Sequence, residues 1–273
     1  MSYLENFHYQ IMGPEEGPRL VFLHGLLGSG ANWRKVTSSL QDKYRILLYD
    51  QRGHGRSFHP TSGYRPEDYA EDLLQILDEL GWKKIALVGH SMGGRNALVF
   101  AANHPERVQC LVVEDIGPDA SEAGVSRIQR LLNLVPVPFS SRLEAKRFFE
   151  EDFPKRLMGK DNAVTLANYF YTNIQEQPDG TADWRFSLNG VLESLQEGHR
   201  KERWVEVEKL QCPTLWVRGE FSEDLDRDIF QQILTRRPDI LGVEVAQSGH
   251  WVHFDQVAEF TRILKDFLDK NSP

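Results

Sequence analysis

The sequence predicts an α/β protein: a mostly parallel central sheet flanked by helices, with a helical insertion in its second half. Three observations carry this. Short, unbroken apolar runs alternate with helix-length amphipathic segments, and unbroken runs mark parallel strands buried on both faces. The runs end in loops rich in Gly, and ligands bind in such sheets just beyond the carboxyl ends of the strands. From about Asp119 to Glu208 the alternation stops and no strand-like run appears, so that stretch reads as helices covering the strand ends. With 273 residues, 40% hydrophobic and 26% charged, the chain suits one core domain (1–118 and 209–273) carrying a helical cap at 119–208.

In chain order, Phe7 to Met12 reads as a short strand closed by the turn Gly13-Pro14-Glu15-Glu16-Gly17-Pro18. Leu20 to Leu23 is a buried strand, followed by the loop His24-Gly25-Leu26-Leu27-Gly28-Ser29-Gly30 and a helix over Ala31 to Leu40. Tyr44 to Tyr49 is the next strand and runs into the loop Asp50 to Ser57. Pro66 suits the first position of a helix, whose stripe is Tyr69, Leu73, Ile76, Leu77 and Leu80, with Gly81 as its stop. The strand Ile85 to Val88 and a helix to about Asn103 follow, then the strand Cys110 to Val113. Helices are expected at Ser121–Leu134, Ser141–Glu151, Asp161–Gln175 and Leu188–Gln196, in a stretch dense in Phe, Tyr and Trp. The α/β rhythm resumes with a strand at Thr214–Gly219, a helix near Asp226–Thr235, a strand at Val243–Ala246 and a closing helix from Gln256 to Leu268.

The net charge of −8 argues against nucleic acid or an anionic membrane as main partner. No run approaches the ~20 apolar residues of a membrane span, and the first residues do not form a signal peptide. The expected location is therefore cytoplasmic, as a monomer or homodimer. Cys110 and Cys212 both adjoin apolar runs and read as buried free thiols.

The chemistry centres on Gly89-His90-Ser91-Met92-Gly93, between a strand and a helix. A strand, a sharp turn and a helix put one serine at an apex, where φ is forced positive and the flanking residues must be small. The hydroxyl then stands at a helix N-terminus, which favours developing negative charge. Such a serine needs a base, usually a histidine held by a carboxylate. Of nine histidines, His24, His54 and His90 belong to turn motifs close to the elbow, and His250 sits in a strand-end loop on the same side, after the last strand. His250 and His253 also invite a metal reading, but no Cys or third ligand lies nearby in sequence. The acid candidates are Asp115, at the end of a buried strand, and Asp224 or Glu220, in an acid-rich segment after Gly219. An unpaired carboxylate leaving a buried strand is costly, which an imidazole N–H would relieve at Asp115. Glu114 should point to the opposite side. Oxyanion donors are expected at the backbone N–H of Met92 and of Leu26.

These residues together resemble the α/β-hydrolase superfamily. His24-Gly25-Leu26-Leu27-Gly28, Asp50 to Ser57, Gly89 to Gly94 and Gly249-His250-Trp251 match its motifs in order along nearly the whole chain. Within it, Val112 to Pro118, Gly249 to His253 and Trp184-Arg185-Phe186 look like small cap-bearing carboxylesterases and acyl thioesterases whose acid follows the sixth strand of the family count. Most relatives place the acid three residues after the glycine ending the seventh strand, and that position here is Ser222, which cannot serve. Gly25 to Trp33 and Gly94-Arg95 are also similar to menaquinone-pathway synthases that eliminate pyruvate with the same triad. Arg95 could equally be an exposed helix residue or a partner for a neighbouring loop. The resemblance implies a serine hydrolase of short to medium acyl esters, with thioesters and pyruvate elimination as alternatives. It implies a small-molecule substrate, with no metal or organic cofactor.

Overall fold

The computed structural model describes residues 2–120, 122–157 and 163–272, with side chains throughout except at 122–124 and 165. Seven strands form the main sheet: β1 (Tyr9–Met12), β2 (Arg19–Leu23), β3 (Arg45–Tyr49), β4 (Ile85–His90), β5 (Val108–Glu114), β8 (Thr214–Gly219) and β9 (Leu241–Val245). Their order is β1-β3-β2-β4-β5-β8-β9, with β1 antiparallel to β3 and every other pairing parallel. In the family count, β4, β5 and β8 are the fifth, sixth and seventh strands.

Side-chain alternation explains the unbroken apolar runs. Val21, Leu23, Leu87, Leu111, Val113 and Trp216 face one side, against α2 (Pro66–Glu79), α3 (Met92–Asn103), α9 (Trp204–Lys209) and α10 (Arg227–Arg236). Leu20, Phe22, Val88, Cys110, Val112 and Val217 face the other, against α1 (Arg34–Thr37) and α12 (Val257–Asn271). Period two is hidden because both sides are buried.

Between β5 and β8 the chain builds a third core of its own around Phe139, Phe148, Phe149, Phe153, Phe170 and Trp184. Its helices are α4 (Glu122–Asn133), α5 (Arg142–Arg147), α6 (Phe153–Arg156), α7 (Ala163–Tyr171) and α8 (Leu188–Gly198). The expected helix starts at Ser121 and Asp161 lie outside the described residues. This segment is not purely helical, which corrects the sequence expectation. The helix placed through Gln175 ends at Tyr171, and Ile174–Glu176 (β6) pairs antiparallel with Ala182–Trp184 (β7) around a turn at Gly180, φ 85°. The stretch expected as one helix over Ser141–Glu151 is α5 followed by a π turn at Phe148–Asp152. The helix expected over Ala31–Leu40 shortens to a 3₁₀ turn at Gly30–Trp33 and α1. The final helix follows one turn, α11 (Val252–Asp255). Cys110 is buried, but Cys212 is only partly so; both are free.

Candidate active site

The site is assembled from the carboxyl ends of β4, β5, β8 and β9. Ser91 directly follows β4 with φ 53° and ψ −121°, a sparsely populated positive-φ conformation that costs a non-glycine residue about 1–3 kcal/mol. The turn is held because its N–H donates to Glu114 O at 2.9 Å and Arg95 N–H donates back to Ser91 O at 3.0 Å. Its flanking glycines have no room for a side chain. A Cβ on Gly89 would lie 2.3 Å from Gly93 O, and one on Gly93 would lie 2.5 Å from Leu23 O.

The structure brings Ser91, His250 and Asp115 together. His250 Nε2 is 2.9 Å from Ser91 Oγ, and His250 Nδ1 is 2.8 Å from Asp115 Oδ2. A carboxylate accepts only, so Nδ1 carries the proton and Nε2 is free to accept from the serine hydroxyl. Asp115 also has a positive φ, 53°, and is fully buried. Burial disfavours its charge, but Gly219 N–H at 2.8 Å, the Ser222 hydroxyl and His250 all donate to it. Ser222, the position where most relatives carry an acid, thus faces the carboxylate from β5. Nothing local in the chain announces that contact.

Of the other two acids, Asp224 reaches the imidazole: its Oδ2 lies 3.3 Å from His250 Nδ1. Glu220 points elsewhere and accepts Gln247 N–H at 2.8 Å. Burial opposes the charged form of His250, yet Asp224 and then Asp115 outweigh it and hold the imidazole pKa above its usual 6.5.

Met92 opens α3 directly after Ser91. The Leu26 loop is pressed against the elbow: a Cβ on Gly25 would lie 2.6 Å from His90 Nδ1 and 3.3 Å from Ser91 Cβ. Tyr169 of α7 fixes this loop by donating to Leu26 O at 2.8 Å. Above Ser91 lies a cavity of about 1200 Å³, lined largely by apolar side chains such as Leu26, Met92, Ile116, Ile128, Leu131 and Leu166.

Residues 18–257 match the family model described as alpha/beta hydrolase fold. The chain belongs to the α/β-hydrolase family. Among α/β hydrolases, it is 29% identical to an sn-1-specific diacylglycerol lipase of Danio rerio, over 96% of this chain and 82% of that one. It is also 29% identical to a Bacillus subtilis (strain 168) protein provisionally assigned as 2-succinyl-6-hydroxy-2,4-cyclohexadiene-1-carboxylate synthase, over 94% and 92%. A solved structure described as a marine microorganism esterase superposes with a TM-score of 0.82 at 28% identity, covering 96% and 99%. The relatives of this α/β hydrolase therefore include esterases and lipases. No helix among its described residues is long and apolar enough to cross a membrane.

Two further features surround the base. His90 Nε2–H donates to His250 O at 2.8 Å. Glu114, fully buried, accepts both His253 N–H at 2.8 Å and His253 Nδ1–H at 2.9 Å. The residue preceding the serine and the residue preceding the aspartate thus grip the loop that carries His250. The ligating atoms of His90, Glu114 and His253 lie within 4.8 Å of one another, spacing that also suits a metal. Here the Glu114 carboxylate and one nitrogen of each histidine make these hydrogen bonds. Arg95 is buried rather than exposed, and its Nη1 donates to the carbonyls of Gly198 and of Asp119, the latter at 3.3 Å. Burial lowers its pKa to about 10, against the opposing pull of the Asp119 charge.

Proposed function

We propose that this α/β hydrolase is a serine esterase cleaving carboxylic esters, and also thioesters, of short to medium acyl chains. The reading rests on the line from Asp115 through His250 to Ser91, at 2.8 and 2.9 Å, with the serine raised on a positive-φ elbow under an apolar cavity. Ser91 Oγ attacks the acyl carbon as His250 Nε2 takes its proton. Asp115 keeps the imidazole in the right tautomer and stabilises its charged form. The N–H groups of Met92 and Leu26 hold the oxyanion, each such donor contributing about 3–4 kcal/mol where measured elsewhere. His250 then protonates the leaving alcohol or thiol. Water activated by the same nitrogen attacks the acyl-enzyme and releases the acid. Residues 119–208 act as the lid over the acyl site on a core of 1–118 and 209–273, excluding bulk water. A net charge of −8 fits work in the cytoplasm, as a monomer or homodimer, on a diffusing small molecule.

The test is turnover of p-nitrophenyl esters from acetate to decanoate by the protein and by Ser91→Ala. Turnover that is lost in the variant supports the esterase. One observation favours a second reading: the Bacillus subtilis synthase-type relative is as similar as the lipase, at 29% identity. That reading, elimination or carbon–carbon chemistry on the same residues, is favoured if no ester is turned over while Ser91 is still labelled by a fluorophosphonate.

A further inference from the structure

Two carboxylates face one imidazole nitrogen. Asp115 Oδ2 is 2.8 Å from His250 Nδ1 and Asp224 Oδ2 is 3.3 Å from it. They come from neighbouring strands, Asp115 at the end of β5 and Asp224 on the loop after β8. Nδ1 carries a single hydrogen, and the shorter contact claims it. Asp224 is therefore not the hydrogen-bonding acid, but a negative charge set against the same atom.

The other end of Asp224 is taken by the lid. Arg127 of α4 donates through Nη2 to Asp224 Oδ1 and through Nη1 to Glu223 Oε2, the latter at 2.7 Å. Arg127 and Asp224 both line the cavity above Ser91. Their side chains are 24% and 16% exposed, so this pair is far less screened than a surface salt bridge. A continuous chain of polar contacts thus runs from α4 through Asp224 to His250 and on to Ser91.

We propose that Asp224 is a second positioning carboxylate for His250, and that Arg127 couples the seating of α4 to the strength of the base. The proposal deepens the esterase reading and rests on it. When His250 takes the serine proton it becomes a cation in a dry site. Asp224, already in place, stabilises that cation with no reorganisation. The Arg127 guanidinium opposes this by drawing the same carboxylate toward the lid. The base is then moderated while α4 is seated and strengthened when Arg127 is drawn away, as by a substrate lying along α4. The other charged or titratable groups around His250 fit this balance. Asp115 faces it from β5. His90 of β4 stacks at 4.7 Å and is held neutral, its pKa well below 6.5, by burial and by the neighbouring His250. His199, at the end of α8, and Asp255 of α11 also line that cavity, with Arg95, Arg130, Arg156 and Glu223. Burial also holds His199 neutral, with a pKa lowered to about 3.

The experiment uses the full chain and reads the base with and without turnover. Histidine NMR titration of the protein, Asp224→Asn, Arg127→Gln and Arg127→Lys gives the His250 pKa directly. Steady-state kinetics with the best p-nitrophenyl ester give kcat, KM and the pH profile. Loss of one carboxylate at this range should lower the His250 pKa by about one unit in Asp224→Asn, and cut kcat about tenfold with KM little changed. Arg127→Gln should raise the His250 pKa, and Arg127→Lys should bring it back toward wild type. An unmoved His250 pKa in both Asp224→Asn and Arg127→Gln overturns the proposal. So does a change confined to KM, which would make the pair a mechanical latch only. Because the titration needs no substrate, failure of the esterase reading shows separately, as absent ester turnover in the wild-type protein.

Discussion

Replacing Glu114 by Met should weaken the fold far more than its modest change in volume suggests. Glu114 has no exposure, and its carboxylate takes two donors from His253, the backbone N–H at 2.8 Å and Nδ1–H at 2.9 Å. Removing the carboxylate leaves two buried His253 donors without an acceptor, at about 1–3 kcal/mol each. Replacing both partners by apolar groups is often close to neutral, so Glu114→Met with His253→Leu should recover part of the loss. Recovery is incomplete for a definite reason. The His253 N–H also loses its acceptor, and an orphaned buried donor costs about 1–3 kcal/mol. His253 further gives up its ring contact with Trp33, 4.3 Å between centroids. The double variant should therefore sit about 1–3 kcal/mol below wild type, above the single variant. The assay is a double-mutant cycle by thermal unfolding at pH 7.5 and fixed scan rate. At about 2–4 °C per kcal/mol, the single variant should melt roughly ten degrees low and the double variant roughly half as low. A Glu114→Met midpoint within two degrees of wild type, about 1 kcal/mol or less, refutes the reasoning. A double variant that loses the sum of both singles refutes it equally.

Asp115→Asn should lower kcat by about 10³–10⁴ with the fold retained, while Glu220→Gln stays within about threefold; steady-state ester kinetics decide between them. Since His250 must be neutral to accept the serine proton and its pKa is raised, the acidic limb of kcat/KM should lie above 6.5, with activity falling as pH drops through it. A limb clearly below 6.5 contradicts the geometry around Nδ1. Gly93→Ala should abolish fluorophosphonate labelling of Ser91, because its Cβ would meet Leu23 O at 2.5 Å and His24 O at 2.6 Å and force the elbow away from β2. Tyr169→Phe removes the donor to Leu26 O together with the hydroxyl that Trp251 bonds, so kcat should fall several-fold as the loop loosens, with the melting midpoint within about two degrees of wild type.

How far the sequence could be read depended on how strongly each residue was constrained locally. Strand β5 was legible because Leu111 and Val113 face one core while Cys110 and Val112 face the other, so its middle is apolar on both faces. The elbow was legible because only small residues fit around it. The hairpin β6–β7 was not, since three residues a side are too few to display a period of two, although Pro178-Asp179-Gly180 is a turn sequence. Arg95 was read as open to solvent or loop-bound; the carbonyls of Asp119 and of Gly198, the latter 103 residues on at the end of α8, decide between these. The choice between Asp115 and Asp224 was hard because β5 and β8 are neighbours and deliver both acids to the same nitrogen. Glu114 could be assigned a direction by alternation, but its partner His253 lies 139 residues away and nothing local announces it.

The adjacency of β5 and β8 has a consequence for how such a molecule can change. To the sheet, everything between Asp115 and Thr214 is one crossover, whose two ends are pinned side by side by parallel pairing from Leu111↔Thr214 to Glu114↔Val217. Closure entropy grows only logarithmically with length, about 0.6 kcal/mol per doubling, so the register does not depend on what fills that interval. Seen this way, the roof of the cavity is an interchangeable part. A different roof grafted between the same two strands would inherit the serine, its base and Asp115 unchanged, and would bring its own answer to what may lie above them.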